Sequence, residues 1–255
     1  MDRLTRIGVI ILLLAGCTSE PANQSAVQEA NFSSTEHMLL QTDNHSKLIA
    51  LYKEELAKSG RTEIRMKLIN QYLLAMDYES ASFQLANLSE YEAKNHEALF
   101  YKAKVDFYEG KYSLAENNCL ASLIAKPEQP HVHNLLGLVY AQSSNTTDAR
   151  KQFNLARLYY HDDIIVKNNL AMIDIIEGDY KTAVERLTPL YVSEQADQQV
   201  IANLAMAHAN LGQFEHVKIL LEDNYSIEQI SLIYHGLRTM TPVAPFTPEL
   251  NGGAI

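Results

Sequence analysis

From Thr62 onward, apolar and small residues recur at three- and four-residue spacing, broken at regular intervals by a short polar turn, and the whole pattern returns every 34 residues. Its clearest stretch is Asn168-Asn169-Leu170-Ala171, then Gly178-Asp179-Tyr180, then Ala183. One period upstream stand Leu136-Gly137, Ser144 and Ala149; one period downstream stand Leu204-Ala205, Gly212-Gln213-Phe214 and Val217. Five units follow without an insertion: 62–95, 96–129, 130–163, 164–197 and 198–231. Each predicts two helices joined by a tight turn. A unit of this size cannot bury its apolar face alone, so the array should stack into an all-α superhelical solenoid.

Each column of the repeat has a packing reason. A small position on the first helix holds Ile69, Ala103, Gly137, Ala171 and Ala205, and one on the second holds Ala81, Ala115, Ala149, Ala183 and Val217. Small side chains there let the two backbones of a hairpin approach. The turn position holds Met76, Gly110, Ser144, Gly178 and Gly212, where a helix end calls for a left-handed residue. Two residues on come Tyr78, Tyr112, Thr146, Tyr180 and Phe214, able to seal the hairpin. A large apolar column on the second helix holds Leu85, Cys119, Phe153, Leu187 and Leu221, which makes Cys119 a core residue.

The third unit reads His133-x-x-Leu136-Gly137-x-x-Tyr140, then Ala149-x-x-x-Phe153. It resembles the tetratricopeptide (TPR) repeat, Trp-x-x-Leu-Gly-x-x-Tyr then Ala-x-x-x-Phe, with His133 in the Trp position. The resemblance covers residues 62–231 and is weakest in the first unit, where Met76 and Ile69 depart from it. Both ends of the array are expected to carry capping helices. Leu48, Leu51, Tyr52 and Leu56 mark an amphipathic helix over 46–58, within an N-terminal cap region 35–61. Ser226-Ile227-Glu228-Gln229 is a capping-box pattern and starts a last helix whose end lies at 232–240. Pro242, Pro245, Pro248 and Gly252-Gly253 then predict a disordered tail, 241–255.

The first residues point to a compartment. Arg3 and Arg6 precede a short apolar run, Ile7 to Leu14, that ends in Leu14-Ala15-Gly16-Cys17. This looks like the lipobox of a bacterial lipoprotein, with a signal peptide at 1–16 and Cys17 as the lipidated mature N-terminus. That resemblance, with Thr18 after the Cys, implies the outer membrane, with the globular part facing the periplasm. Residues 17–34 are polar and aperiodic and are expected to form a flexible tether.

Composition narrows the chemistry. The formal charge of −10 argues against nucleic acid as a partner. The sequence has no Gly-rich phosphate loop, nucleophile elbow or paired-carboxylate motif, and the five units leave no room for a catalytic domain. The expectation is therefore a protein that is not an enzyme, with no cofactor beyond the covalent lipid (palmitate among its acyl chains) on Cys17 and with no metal. His131-x-His133 lacks a local third ligand and reads as a solvated helix start; His161-Asp162-Asp163 reads as a loop and helix cap.

What remains is a surface for protein–protein interaction. In TPR arrays the first helices line a concave groove, and by that resemblance the peptide-groove candidates are Met66, Asn70, Phe100, Lys104, Asn134, Leu138, Asn168, Asn169, Met172, Asn203 and Met206. A clamp for an acidic C-terminus would repeat Lys/Arg and Asn in these columns, and only Lys104 and Asn70 partly comply. The amides fit two roles: they can pair with a peptide backbone without reading its sequence, or they can serve helix packing.

The lipobox, the tether, the repeated Asn-Asn-Leu-Ala and the last helix, above all residues 164–240, resemble the TPR lipoproteins of the tight-adherence (Tad, Flp pilus) system. That resemblance implies a pilotin-like role in pilus assembly, with the secretin or other Tad proteins as partners. A general envelope scaffold for a cell-wall synthase or an outer-membrane assembly machine is the alternative. Oligomeric state is not legible. Anchoring is open to a direct check. Several acyl chains, at roughly 0.8 kcal/mol per buried CH₂, hold a protein to a bilayer. Cys17→Ser should therefore move the protein from the membrane to the soluble fraction, and a variant that still sediments with membranes would contradict the lipobox.

Overall fold

The computed structural model describes residues 21–240, so the predicted leader, Cys17 and the tail 241–255 lie outside the described residues. The chain divides into two compact units, 1–51 and 52–255. The described part of the first holds helix α1, Pro21–Gln41, and the start of α2, His45–Ser59. Between them Asp43 adopts φ 46° and the Asn44 amide donates to the Leu39 carbonyl at 3.1 Å.

Helix α1 corrects one expectation. Residues 21–34, assigned to the flexible tether, are helical and run unbroken to Gln41. The segment lacks an apolar stripe, which was the ground for expecting disorder. Its backbone preference points the other way. It has no Gly, its one Pro opens the helix where a fixed φ is harmless, and Ala26, Gln28, Glu29 and Ala30 are strong helix formers.

The second unit carries ten further helices in five hairpins: α3 (Thr62–Leu74) with α4 (Tyr78–Ala86), α5 (His96–Tyr108) with α6 (Tyr112–Ala125), α7 (Pro130–Gln142) with α8 (Thr146–Leu158), α9 (Asp163–Ile176) with α10 (Tyr180–Val192), and α11 (Gln198–Asn210) with α12 (Phe214–Leu221). Helix α13, Ile227–Thr239, packs on α11 and α12. The expected capping box is present: the Gln229 amide donates to Ser226 Oγ, and the Ser226 amide donates to Gln229 Oε1 at 2.9 Å. Tyr234 meets Phe214 edge-on at 5.2 Å and Ile230 is fully buried beside Val217.

Every hairpin turns the same way. Met76, Gly110, Ser144, Gly178 and Gly212 all have φ between 57° and 79°, including the two that are not glycine. In each case the next amide reaches back five residues: Asp77 to Tyr72, Lys111 to Asp106, Asn145 to Tyr140, Asp179 to Asp174 and Gln213 to His208, at 2.7–3.0 Å. This is the Schellman closure, which satisfies carbonyls that a helix end leaves open. The same residue then starts the second helix. The carboxylates of Asp77 and Asp179 and the amide oxygen of Asn145 accept from the backbone N–H three residues on. In these three hairpins one residue thus closes one helix and caps the next.

First helices of successive hairpins touch one another: α3 with α5, α5 with α7, α7 with α9, and α9 with α11. Among the described residues no comparable contact joins the second helices. The stack therefore curves, with first helices on the inner side. Between the two layers lie Ala81, Ala115, Ala149, Ala183 and Val217, all without exposure, and Cys119, Phe153 and Leu187 beneath them. Burial pushes the Cys119 thiol far up, with Glu116 and Asp106 adding to it, so no thiolate nucleophile is available there.

The closest approach is at Gly137. A Cβ placed there would lie 2.5 Å from the Phe153 ring, and that ring is fully buried. Gly137→Ala should destabilise the protein by about 1–3 kcal/mol, the usual cost of overpacking, although alanine is the better helix former. Thermal or urea unfolding measures this; an unchanged or raised midpoint would show that the ring has room to move.

Candidate interaction groove

The inner face is built by the first helices α3, α5, α7, α9 and α11, and all of the described candidate residues lie on them. Met66, Asn134, Leu138, Asn168, Asn169, Met172 and Asn203 are buried, whereas Asn70, Phe100, Lys104 and Met206 are half-buried. Phe100 and Lys104 come together, with Lys104 Nζ 5.7 Å from the Phe100 ring centroid.

The asparagines also come together, in a way that the repeat columns do not reveal. Asn169 Nδ2 donates to Asn134 Oδ1 at 2.9 Å, and Asn203 Nδ2 donates to Asn168 Oδ1 at 2.8 Å. Each bond joins residues 35 apart, so the sixth position of one unit reaches the fifth of the unit before it. Of the two roles considered for the amides, the pairs show the packing one. The pairs tie α7 to α9 and α9 to α11, while each retains a donor on its first amide and an acceptor on its second.

A second polar tie was not anticipated. Asp174, 2% exposed, accepts from Arg150 Nη1 at 2.7 Å and from Arg186 Nε at 2.9 Å, and Arg150 also pairs with Glu177. The network spans α8, α9 and α10. Its counterpart in the second unit is Asp106, which takes the Asn118 amide at 2.7 Å. Burial there raises the Asp106 carboxyl above its usual range, against the pull of Asn118, Lys102 and Lys111. The sequence carried the signal in its eleventh column, which holds Asp106 and Asp174, but only the fold supplies the cations.

The histidines split into structural and exposed groups. His133 stacks on Tyr159 at 5.4 Å and is held by Gln152 Oε1 at 2.7 Å and the Pro127 carbonyl at 3.0 Å, so it fills the Trp position of the repeat as a packed, hydrogen-bonded ring. His131, two residues before it, is exposed. Asp162 caps α9 by accepting from the Ile164 and Ile165 amides. Among the described residues there is no group of three or more His, Cys, Asp or Glu that could hold a metal, and no helix is long and apolar enough to cross a membrane.

Comparison with known proteins agrees with this architecture. No family model matches the chain. It is 28% identical to Superkiller protein 3 of Schizosaccharomyces pombe over 129 residues, which are 51% of this chain and 8% of that protein, so it spans a small fraction of that relative's length. Among solved structures, the APC/C hetero-tetramer Cut9–Hcn1 superposes with a TM-score of 0.68 at 13% identity, over 82% of this chain and 42% of that one. A tetratricopeptide repeat protein from Parabacteroides merdae gives 0.53 at 14% identity, over 82% and 98%. YrrB, a TPR protein with an unusual peptide-binding site, gives 0.54 at 14% identity, over 74% and 98%. The fold is the TPR solenoid.

The Asn168–Asn203 bond can be weighed by a double-mutant cycle. Either single change to Ala strands a buried amide and should cost about 1–3 kcal/mol. The double change should cost less than the sum of the singles, with a coupling of about 1 kcal/mol. Urea unfolding of the four proteins measures it, and strict additivity would mean that the bond contributes nothing to the fold.

Proposed function

We propose that the protein is a non-catalytic, lipid-anchored scaffold on the periplasmic side of the outer membrane, and that it acts as a pilotin-like assembly factor for the secretin of a Tad/Flp pilus. The observation that carries the binding part of this reading is the inner face itself. Five first helices run side by side, half-buried Asn70, Phe100 and Met206 supply apolar and amide contacts, and the asparagine pairs keep hydrogen-bonding capacity for an extended backbone. A flexible Met side chain suits a groove that must adapt to its ligand. YrrB, which shares the fold, is itself a TPR protein with a peptide-binding site. The anchor and the compartment rest on Leu14-Ala15-Gly16-Cys17, and the pilus assignment rests on the resemblance of residues 164–240 to the Tad lipoproteins.

The test is a pull-down from detergent-solubilised envelope with the full chain and with Met206→Arg, a change that fills the groove from a half-buried site. Secretin and pilus-assembly proteins should be recovered with the parent and lost with the variant, while the melting temperature stays within a few degrees. Recovery of cell-wall synthases alone would overturn the pilus assignment in favour of a general envelope scaffold. Equal recovery by both proteins would move the binding site off the inner face.

A further inference from the structure

Every handover from one hairpin to the next exposes a large apolar side chain. Tyr91 lies in the segment after α4, Ile124 in the last turn of α6, and Leu158 and Val192 end α8 and α10; Tyr160 and Tyr225 lie in the segments after α8 and α12. All six are between 45% and 95% exposed. Ile124, Leu158 and Val192 form one column, 34 residues apart. The handover segments stand side by side along one edge, because each hairpin is antiparallel and the first helices pack in a row. Contacts along that edge follow one pattern. Thr62 Oγ1 donates to the Glu92 carboxylate, His96 Nδ1 lies 2.9 Å from Gln129 Oε1, and the His131 ring meets the His161 ring at 4.9 Å. Each joins the start of a first helix to the segment that closes the same unit. Among the described residues, the hairpin turns on the opposite edge expose only Met76 and Leu211 of this kind. Exposed apolar residues scattered singly are ordinary, but a column repeated in successive units on one edge is not.

Tyr160 combines full exposure with a fixed backbone. Its φ is 65°, a left-handed value, and the next amide, that of His161, donates to the Ala156 carbonyl at 2.9 Å. On one side Tyr159 stacks on His133, and on the other His161 is buried against His131. A ring presented from a pinned backbone has little freedom left to lose on binding. The charge around it is one-sided. Segments 159–162, 193–197 and 222–226 contain Asp162, Glu194, Asp197, Glu222 and Asp223 and no Lys or Arg. Arg157 and Lys167, on the flanking helices α8 and α9, both pair with Asp163. Among the described residues no ion pair engages Glu194, Glu222 or Asp223.

We infer that this edge, from Leu158 to Tyr225, docks a partner segment in which large apolar side chains are interleaved with Lys and Arg. The exposed Leu, Val and Tyr side chains supply the anchors, and the five acids between them supply the charge that selects a basic partner. Packed helices stand roughly 8–10 Å apart, so the partner must present its apolar groups at about that interval. The same charge argues against the other occupants of an apolar row. A second copy would set one acidic row against another, and a bilayer containing anionic lipids would repel it. The edge is formed by the handover segments and not by the groove columns of the first helices, so this inference goes beyond the groove reading and does not rest on it.

The test selects random 15-residue peptides, displayed on phage, against the immobilised full chain. A class of selected peptides should combine Lys or Arg with large apolar residues. Synthetic copies of that class should bind the double variant Tyr160→Asn/Val192→Ser at least tenfold more weakly than the parent. Asn tolerates a left-handed backbone and both sites are exposed, so the fold is preserved, and circular dichroism verifies this. The triple variant Glu194→Gln/Glu222→Gln/Asp223→Asn, which leaves the helix-capping Asp162 and Asp197 in place, should weaken the same peptides at least fivefold and flatten their dependence on salt. Met206→Arg, on the inner face, should change their affinity less than twofold. If every selected peptide is instead lost with Met206→Arg and kept by Tyr160→Asn/Val192→Ser, binding belongs to the groove: this inference is overturned and the groove reading stands. Failure to select any peptide that Tyr160→Asn/Val192→Ser excludes overturns it as well. So do two other outcomes. Full chain carrying Cys17→Ser that sediments with phosphatidylethanolamine–phosphatidylglycerol vesicles, and no longer does so with Tyr160→Asn/Val192→Ser added, would make the edge a bilayer contact. A dimer in sedimentation velocity that the same substitutions abolish would make it a contact between copies.

Discussion

The array depends on one left-handed residue in each hairpin turn. At Met76, Gly110, Ser144, Gly178 and Gly212 the first helix stops, its last carbonyls are closed by a backward amide, and the following residue opens the second helix. A connection this short leaves the second helix little freedom. It must return antiparallel, and its small column must meet the small column of the first. The alanines at 81, 115, 149 and 183 follow from that closeness, and so does Gly137 opposite Phe153. Left-handed backbone normally favours glycine, because a Cβ costs roughly 1–2 kcal/mol there. Met76 and Ser144 bear that cost in the middle of the same hydrogen-bond pattern, so the helix ends dictate the turn and glycine only eases it.

That division explains what could be read from the chain alone. Features set by a single unit were legible: the small columns, the turn column, the aromatic that follows it, the capping box at Ser226, and Cys119 as core. Each depends on neighbours a few residues away or on the partner helix at a fixed offset. Features set between units were not. Asn134 with Asn169, and Asn168 with Asn203, pair across a 35-residue offset that crosses two columns, so reading one column at a time hides the bond. Asp174 looks like a stray acid until Arg150 of the preceding unit and Arg186 of its own close on it. Helix α1 was missed for a different reason. Its polarity resembles that of a disordered segment, yet helix propensity acts on the backbone and requires no apolar face.

The inter-unit polar bonds also suit what a solenoid needs. Apolar faces alone would tolerate small rotations of one hairpin against the next, because dispersion and hydrophobic burial are not directional. Buried hydrogen bonds are directional, and breaking one leaves a stranded polar group that costs more than the bond itself contributes. The asparagine pairs sit on the inner side, and the Asp174 network spans the inner and outer layers. Together they fix the angle between successive hairpins at two depths. They bear on α7 to α11, the part of the array in which the repeat is most regular.

The same geometry decides which residues remain for a ligand. The paired amides of the inner face are committed to holding the stack, so they do not stand as independent groups on its surface. A rigid frame lowers the ordering cost of binding. On this inner face the half-buried positions are held by different residues along the array, Asn70 in the first unit, Phe100 and Lys104 in the second and Met206 in the fifth. The columns that repeat build the groove, and the columns that vary give it its chemistry.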